Sequence, residues 1–336
     1  MWIAVTGVSL FFVISGFCIH LGQARHEGVA AFQFAAFWRR RLWRLYPTYF
    51  VALCGSIGLL LLMSATGTGE ELLERYPDPR GAWIAADFGM HALMLHGLHP
   101  FFDQAAANPP LWTLAREEYL YLMYPLLLVF RRALPWYALV LALAGLTIVI
   151  HQIAPLVISS PGWVVLLMTS APALWIQWHL GVVAADAYRG VISLPAFWRQ
   201  ARWIPGWILL GYLMPFSAIW LGLAFFTALN ACVRLELEGR WPATGVVDAM
   251  RRVGLWSYSL YLIHHPVQIV ALSITLRLLP TVGVVGFLGR AVLLTLVSCV
   301  AGRLLFAAVE RHFVAVPGPS GFASAPQTEL AARVLP

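Results

Sequence analysis

Chemistry in this chain can come first from residues 109–121 (PPLWTLAREEYLY), an otherwise largely apolar segment that contains two carboxylates and three hydroxyls. Glu117 and Tyr121 are four residues apart, and Thr113 precedes Glu117 by the same interval. Residues at this spacing share one face of a helix, so the carboxylate would lie close to two hydroxyls. Such a group can take part in proton transfer. The helix dipole also stabilises acidic residues at a helix N-terminus, so these glutamates need not have any other role. This alternative stays open.

A second polar group interrupts an apolar run at residues 257–266 (SYSLYLIHHP). His264 stands well inside this run, one helical turn after Tyr261. Imidazole is the side chain whose charge changes most readily near neutral pH, which suits a general acid or base. A lone histidine in a span can equally be a structural group with its hydrogen bonds satisfied. Both interpretations stay open at this point.

A third group is a cationic and aromatic patch, made of Trp38, Arg39, Arg40, Arg41, Trp43 and Arg44. Arg41 and Arg44 lie about one turn apart, a spacing that can hold an anionic group such as a phosphate. Basic clusters beside a span also set its orientation and touch anionic lipid, which is the simpler reading. Three more histidines fall in or near apolar sequence. His20 is more consistent with a structural or donor-side role, whereas His91 and His96 are candidates for an acceptor site.

The elements that position these groups must be membrane-spanning helices. Sixty per cent of the residues are hydrophobic and 11% are charged, whereas soluble domains have roughly 25% charged residues. The mean hydropathy is +0.77. The apolar runs are near the 20 residues that a helix needs to cross a bilayer, and helices satisfy their own backbone groups in lipid. The sequence therefore predicts an all-α, polytopic transmembrane helical bundle.

Arginine supplies the whole net charge of +7, because the chain contains no lysine. The arginines cluster at the ends of apolar runs, where they set the orientation of the spans in the membrane. The positive charge is therefore not interpreted as a site for nucleic acid. Requiring the clusters near residues 39–44, 131–132 and 234–252 to share the cytoplasmic side predicts about nine spans. These are drawn at residues 2–22, 45–66, 110–130, 135–153, 162–185, 203–215, 216–233, 255–276 and 282–307. The weak run at 83–98 is predicted to be a re-entrant segment on the outer side.

The cysteines and the C-terminal region complete the sequence-based expectations. All four cysteines fall in apolar runs and are expected to be small buried hydrophobes, and no motif indicates a metal site. Residues 1–313 are predicted to form one transmembrane domain. The Pro, Ser and Ala-rich residues 314–336 are predicted to be a disordered cytoplasmic tail.

Several motifs resemble, in order, those of the acyltransferase 3 family of membrane enzymes, which acylate sugars and other hydroxyl compounds. The matching segments are residues 7–17 (GVSLFFVISGF), residues 41–44 (RLWR) with Pro47, residues 112–117 (WTLARE) with Tyr121 and Pro125, residues 258–266 (YSLYLIHHP), and Glu310-Arg311. The family patterns are R-x-x-R, W-S-L-x-x-E, S-Y-x-L-Y-L-x-H-x-P and a closing E-R-P. Thr113 replaces the family serine and His312 replaces the last proline. The resemblance covers nearly all of residues 5–313.

The resemblance implies acyl transfer, with acetyl as the expected group, from acyl-CoA to a hydroxyl of a carbohydrate or lipid-linked glycan. Arg41 and Arg44 would hold the donor's phosphates. Glu117, Tyr121 and His264 would be catalytic, and the acceptor-site candidates are Trp112, Thr113, His91 and His96. No metal and no tightly bound cofactor are implied beyond the acyl-CoA substrate. The lipid bilayer is a partner, and the expected location is the inner membrane of a bacterium.

One departure from the family pattern concerns the N-terminus. Family members usually begin with an additional span that carries an arginine or lysine and, eleven residues later, a histidine thought to be the base. This sequence begins where the second span is expected, and the topology argument also requires a preceding crossing. We expect a start upstream of Met1; a member that has lost its base, or a non-catalytic scaffold, is the alternative. A proton-coupled transporter is the alternative from another functional class.

Overall fold

The computed structural model describes residues 2–23, 32–66, 82–104, 106, 108–242, 244–278 and 283–314. Every regular element in these ranges is helical, and they contain no strand. The α-helices are α1 (Trp2–Gln23), α2 (Phe34–Thr66), α3 (Ala82–Ala92), α4 (Trp112–Ala133), α5 (Trp136–Val157), α6 (Pro161–Met168), α7 (Ala171–Tyr188), α8 (Ile204–Leu213), α9 (Ser217–Leu237), α10 (Gly245–Gly254), α11 (Ser257–Leu278) and α12 (Val284–Ala308). Short 3-10 turns lie at His96–Leu98, Pro109–Leu111, Ala196–Arg199, Ala201–Trp203 and Glu310–His312.

Seven helical segments of the described chain are long and apolar enough to cross a membrane. They are Thr6–Gln23, Phe34–Thr66, Trp136–Val157, Pro161–Tyr188, Ser217–Leu237, Ser257–Leu278 and Val284–His312. The predicted fold class, an all-α polytopic membrane protein, is confirmed. Each of these segments coincides with one of the apolar runs.

Two of the predicted spans differ from this set. The run at 203–215 forms α8, which has 10 residues and is therefore roughly 15 Å long, half of a hydrocarbon core. The run at 110–130 forms α4, whose 22 residues suffice in length but carry five charged side chains. Helix α8 ends at Leu213, and Met214 is extended, because the residue before a proline disfavours the helical conformation. Phe216 is left-handed, and α9 begins at the next residue. Helix α8 is too short, and helix α4 too highly charged, to be recognised as a span from length and apolar composition alone.

The basic patch lies on a helix rather than in a loop. The predicted span at 45–66 is the later part of α2, which begins at Phe34 and has 33 residues. At 1.5 Å per residue α2 is about 50 Å long, so it exceeds a hydrocarbon core of about 30 Å. The arginines of residues 39–44 therefore occupy an extension of the helix. The segment at 83–98 forms the 11-residue helix α3 and a 3-10 turn, too short to cross.

The described residues form two units. The first contains the chain up to Phe34 together with Arg116–Pro242, and the second contains Ala35–Ala115 and the described residues from 244 to 314. Helix α4 contributes its first turn to the second unit and the rest to the first. The predicted single domain at 1–313 and the predicted disordered tail stay predictions, since residues from 315 onward lie outside the described part.

In the first unit, α1 and α7 approach each other so closely that glycine is needed on both. A Cβ atom on Gly16 would meet the carbonyl oxygen of Trp178. A Cβ atom on Gly181 would meet the carbonyl of Val13 and lie 2.7 Å from the backbone nitrogen of Phe17. Small residues allow this approach, which is a common device in membrane helix packing. Helix α7 is consequently buried along nearly its whole length.

In the second unit, α11 packs against α12 at Gly302, where a Cβ atom would lie 2.7 Å from Cα of Leu260. The start of α11 is held by Glu310, whose carboxylate accepts hydrogen bonds from the backbone N–H of Ser259 at 3.1 Å and from its hydroxyl. The first N–H groups of a helix have no partner within the helix, so this buried carboxylate caps α11. The Tyr258 hydroxyl donates to the carbonyl of Leu45 on α2 at 3.0 Å.

The expectation of buried cysteines is wrong. Cys18, Cys54 and Cys232 are exposed on helix surfaces, and Cys299 is half-buried. Leucines and valines share these surfaces, among them Leu156 and Val285 at 82% and 85% exposure. The outside of a membrane bundle faces hydrocarbon, so an apolar sequence does not distinguish an inward side chain from an outward one.

Candidate functional site

Glu117 lies at the centre of a hydrogen-bonded cluster in the first unit. Its Oε1 atom accepts a hydrogen bond from the Ser15 hydroxyl at 2.6 Å and another from the Tyr121 hydroxyl. Trp178 donates its indole N–H to the Ser15 oxygen at 3.2 Å. All four side chains are buried. We call Ser15, Glu117, Tyr121 and Trp178 the carboxylate cluster.

The carboxylate cluster joins two of the sequence motifs that carried the resemblance. Ser15 comes from residues 7–17 on α1, and Glu117 and Tyr121 come from α4. Their contact follows from the four-residue spacing on α4 and from the glycine-dependent approach of α1 to α7. An ionised carboxylate only accepts hydrogen bonds, so two hydroxyl donors on one oxygen match that form. The arrangement can hold a carboxylate in fixed geometry away from water.

Arg116 and Glu118, the neighbours of Glu117, are also buried. Arg116 is 1% exposed and donates from Nε to the carbonyl of Thr169 at 2.8 Å. This bond ties α4 to the turn between α6 and α7. No role was predicted for Arg116 from the sequence. A charged residue beside two carboxylates in an apolar run is, however, a sign of a buried polar site, and this could have identified it.

A second buried cluster in the first unit was only partly anticipated. Nδ1 of His20 lies 2.7 Å from the Tyr124 hydroxyl, and its Nε2 lies 2.9 Å from Oδ1 of Asp186 and 2.7 Å from Nη1 of Arg131. Arg131 also forms an ion pair with Asp186. His20 was assigned a structural or donor-side role, whereas Asp186 was missed. Asp186 could have been identified because it is a carboxylate near the end of an apolar run, and such a group is costly in a membrane unless it is paired.

His179 lies on α7 next to Trp178, and it is completely buried. Neither of its ring nitrogens has a hydrogen-bond partner among the residues that the structure describes. Its electrostatic neighbours are Arg131 and His20. Sequence reasoning missed this residue, because a single histidine in an apolar run carries no spacing signal.

The second unit holds the histidine and hydroxyl candidates. Thr113 Oγ1 and the Tyr261 hydroxyl lie 2.5 Å apart, and the Tyr261 hydroxyl donates to the carbonyl of Pro110 at 2.7 Å. His264 is half-buried, and its Nδ1 lies 2.7 Å from the Tyr261 carbonyl oxygen. A proton on Nδ1 is required by that bond, so Nε2 is the nitrogen with the lone pair. This tautomer suits a general base. Trp112, the remaining candidate of this motif, is half-buried.

His91 and His96 are stacked face to face, with ring centroids 4.0 Å apart and an angle of 6°. Both are fully buried. Nδ1 of His91 lies 2.9 Å from Oδ1 of Asp87 and 3.0 Å from the Asp87 carbonyl, while its Nε2 has no hydrogen-bond partner in the described chain. Nε2 of His96 lies 3.2 Å from the carbonyl of Leu111. The pair thus links α3 to the turn that precedes α4.

Arg41 and Arg44 occupy the first part of α2. Arg44 is exposed, and Arg41 is half-buried with its guanidinium 5.8 Å from the centre of the Phe37 ring. Arg44 also acts electrostatically on the Glu310 carboxylate that caps α11. The patch therefore combines available guanidinium groups with aromatic faces.

The predicted site residues are divided between the units. Glu117 and Tyr121 belong to the first unit. The second contains Trp112, Thr113, His264, His91, His96, Arg41 and Arg44. The described residues contain no group of three or more His, Cys, Asp or Glu side chains that could hold a metal ion.

Comparisons with known proteins agree with these motifs. The family model with the description "Acyltransferase domain" matches residues 3–303. The chain is 32% identical over 128 residues to O-acetyltransferase OatA from Staphylococcus aureus strains NCTC 8325 / PS 47, COL and MRSA252. The match covers 37% of this chain and 20% of those relatives, so the chain matches about a fifth of their length. No solved structure matches the chain. Since the family model covers most of its length, the chain belongs to the acyltransferase 3 family.

Proposed function

We propose that this chain is a membrane O-acyltransferase that moves an acyl group, acetyl in the first instance, from acyl-CoA to a hydroxyl of a sugar or surface-polysaccharide precursor. The carboxylate cluster is the observation that carries the proposal, because it joins two separate family motifs around one buried carboxylate. The names of the OatA relatives support acetyl as the group transferred. The inner membrane of a bacterium is the proposed location.

The reaction forms an ester and breaks a thioester. The acceptor oxygen attacks the thioester carbonyl carbon, its proton passes to a base, and the C–S bond breaks with the electron pair going to sulfur. The thiolate takes up a proton to give free CoA. The enzyme must supply a base and donors that stabilise the oxyanion.

His264 is proposed to take part in the proton transfer of this reaction. Its lone pair lies on Nε2 because Nδ1 faces the carbonyl of Tyr261, and its half-buried position gives access that the fully buried His91 and His96 lack. The hydroxyls of Thr113 and Tyr261 bond to each other and to the carbonyl of Pro110, and they are proposed to turn their protons to the acceptor or to the oxyanion when substrate binds. His91 and His96 stay candidates for the acceptor site.

Glu117 and Tyr121, which belong to the carboxylate cluster, are proposed to take part in catalysis. Ser15 and Tyr121 fix the orientation of the carboxylate, and a carboxylate has about four lone-pair sites for hydroxyl donors. Arg41 and Arg44 are proposed to bind the phosphates of acyl-CoA. Guanidinium groups match phosphate geometry, and the exposed position of Arg44 leaves it accessible.

The proposal is tested with radiolabelled acetyl-CoA and vesicles that contain the chain. The label is measured in membrane glycans and, for transfer to water, in free acetate. Glu117→Gln is expected to lower the rate by a factor of about 100 or more, on the scale of lost acid–base or electrostatic catalysis. Glu236→Gln makes the same change at an exposed site on α9 and should leave the rate unchanged. Equal rates in vesicles with and without the protein would instead favour the scaffold alternative.

A transporter remains the second candidate because of His20, Asp186 and Arg131. Paired ionisable groups within a helical bundle are typical of proton relays. Proton-driven uptake of a sugar or other solute, without acetyl transfer, would favour this candidate. Acetyl transfer that persists in a membrane with no proton gradient favours the enzyme.

A further inference from the structure

A groove runs between α2 and α11 in the second unit, near the C-terminal ends of both helices. Six apolar and three polar residues form its walls: Leu59, Leu62, Met63, Thr66, Ile269, Val270, Ser273, Ile274 and Arg277. Its volume is about 400 Å³, within the range of about 300 to 1,000 Å³ that is common for small-molecule sites. None of the residues assigned to acyl transfer lines it.

The groove has a polar end. Thr66 is the last residue of α2, and Arg277 is the next to last of α11. The hydroxyls of Thr66 and Ser273 bond to carbonyls of their own helices, at 2.9 Å and 2.8 Å. Arg277 is exposed and forms no ion pair or hydrogen bond within the part of the chain that the structure describes. Its guanidinium is therefore the group at this end that can bind an anion.

The rest of the groove requires an apolar occupant. Leu62 is 60% exposed and Ile274 is 52% exposed. At 1.5 Å per residue, the apolar walls extend over about 6 to 8 Å of each helix. Both helices are long and apolar enough to cross a membrane, and exposed apolar side chains on such helices face hydrocarbon. The chemistry that fits is a hydrocarbon chain with a phosphate at its end, since guanidinium and phosphate are complementary at a membrane interface.

The groove lies away from the proposed donor site. The hydrogen bond from Tyr258 to Leu45 joins the early parts of α11 and α2, and the groove joins their late parts. The two helices therefore run in the same direction. The arginines of residues 39–44 and Arg277 consequently lie toward opposite ends of this helix pair. A phosphate at Arg277 belongs to a different molecule from acyl-CoA at Arg41 and Arg44.

We propose that the groove between α2 and α11 binds the hydrocarbon chain of a lipid-linked acceptor, with the lipid phosphate on Arg277. This inference rests on the proposed function and narrows its acceptor class from sugars and surface-polysaccharide precursors to those that are carried on a lipid phosphate. The membrane concentrates such an acceptor in the leaflet that the groove faces.

The test uses a farnesyl phosphate that carries a photoreactive diazirine, with the full chain in phosphatidylcholine nanodiscs. Light-dependent capture is expected on peptides of α2 and α11. Leu62→Trp fills the groove and should lower capture about ten-fold, the scale of a lost site contact. Leu296→Trp is the matched control, because Leu296 on α12 is 59% exposed and lies outside the groove. It should leave capture unchanged.

The phosphate contact is tested separately. Arg277→Ala should weaken capture of the farnesyl phosphate probe about ten-fold, which is typical for a lost charge-assisted hydrogen bond, but not capture of the matching farnesol probe. Arg252→Ala, an exposed arginine on α10, is its control. Equal capture by Leu62→Trp and the wild type, or competition by phosphatidylcholine as strong as by farnesyl phosphate, would overturn the inference.

Acetyl transfer is measured on the same preparations, so that the two proposals can fail separately. Transfer to a soluble sugar without selective capture overturns the groove inference and leaves the acyltransferase proposal in place. Selective capture without transfer to any acceptor overturns the acyltransferase proposal, and the assignment of the groove to an acceptor falls with it.

Discussion

Removing the Ser15 hydroxyl should weaken the carboxylate cluster in a way that depends on Glu117. Ser15→Ala deletes the 2.6 Å hydrogen bond to Glu117 and leaves the buried N–H of Trp178 without its acceptor. A hydrogen bond to a charged group contributes roughly 1.5 to 3 kcal/mol, and a buried unsatisfied donor costs about 1 to 3 kcal/mol. Tyr121 still donates to the carboxylate. We therefore expect Ser15→Ala to lower the free energy of unfolding by about 2 to 4 kcal/mol.

A double-mutant cycle with Glu117→Gln separates these two contributions. Thermal unfolding in detergent gives the stability of Ser15→Ala, Glu117→Gln and the double variant, and acetyl transfer gives their activity. In the background of Glu117→Gln the amide oxygen can still accept from Ser15, so Ser15→Ala should lose a neutral hydrogen bond in place of a charge-assisted one, together with the part that involves Trp178. A coupling of about 1 kcal/mol is therefore expected. Effects that add within about 0.5 kcal/mol would show that Ser15 and Glu117 do not interact, and would refute the cluster as the basis of the proposed site.

Three further perturbations probe the packing and the charges. Gly181→Ala places a Cβ against the Val13 carbonyl and should destabilise the protein by about 1 to 3 kcal/mol in thermal unfolding, whereas Gly145→Ala, where no atom lies within 4 Å, should be neutral. Asp186→Ala leaves a partly buried arginine without its counter-charge, so a loss of about 3 to 5 kcal/mol is expected, and full stability would contradict the ion pair. Glu310→Ala removes the cap of α11 and should cost about 1 kcal/mol or more, seen as faster hydrogen exchange at the start of α11; unchanged exchange there would contradict the cap.

Much of the fold could be predicted because lipid restricts the choices. Apolar runs of about 20 residues have one stable form in a bilayer, so helices such as α5, α9 and α11 were foreseeable from length and composition alone. The run at 203–215 forms the 10-residue helix α8, and its crossing of the membrane stays a prediction, because apolar composition does not decide whether so short a helix spans. The sequence also could not predict whether the side chain of Cys54 points toward lipid or toward the bundle interior, since both surroundings are apolar.

The candidate site was foreseeable to a different extent. Periodicity on one helix gave the contact between Glu117 and Tyr121, because residues four apart always share a helix face. It could not give the contact of Glu117 with Ser15, 102 residues away, or that of His20 with Asp186, 166 residues away. Those distances depend on how α1, α4 and α7 pack.

The sequence by itself determined that the chain is a helical membrane protein with family motifs in a fixed order, because these properties depend on composition and on short-range spacing. The tertiary structure decided which polar groups meet. Helix α1 contacts α7 at Gly16 and Gly181, where the two backbones are so close that there is no room for a side chain. The tertiary structure also opened the groove that ends at Arg277, because helices that touch near one end can separate near the other. Such outcomes follow from side-chain volume at helix crossings, which local sequence patterns do not encode.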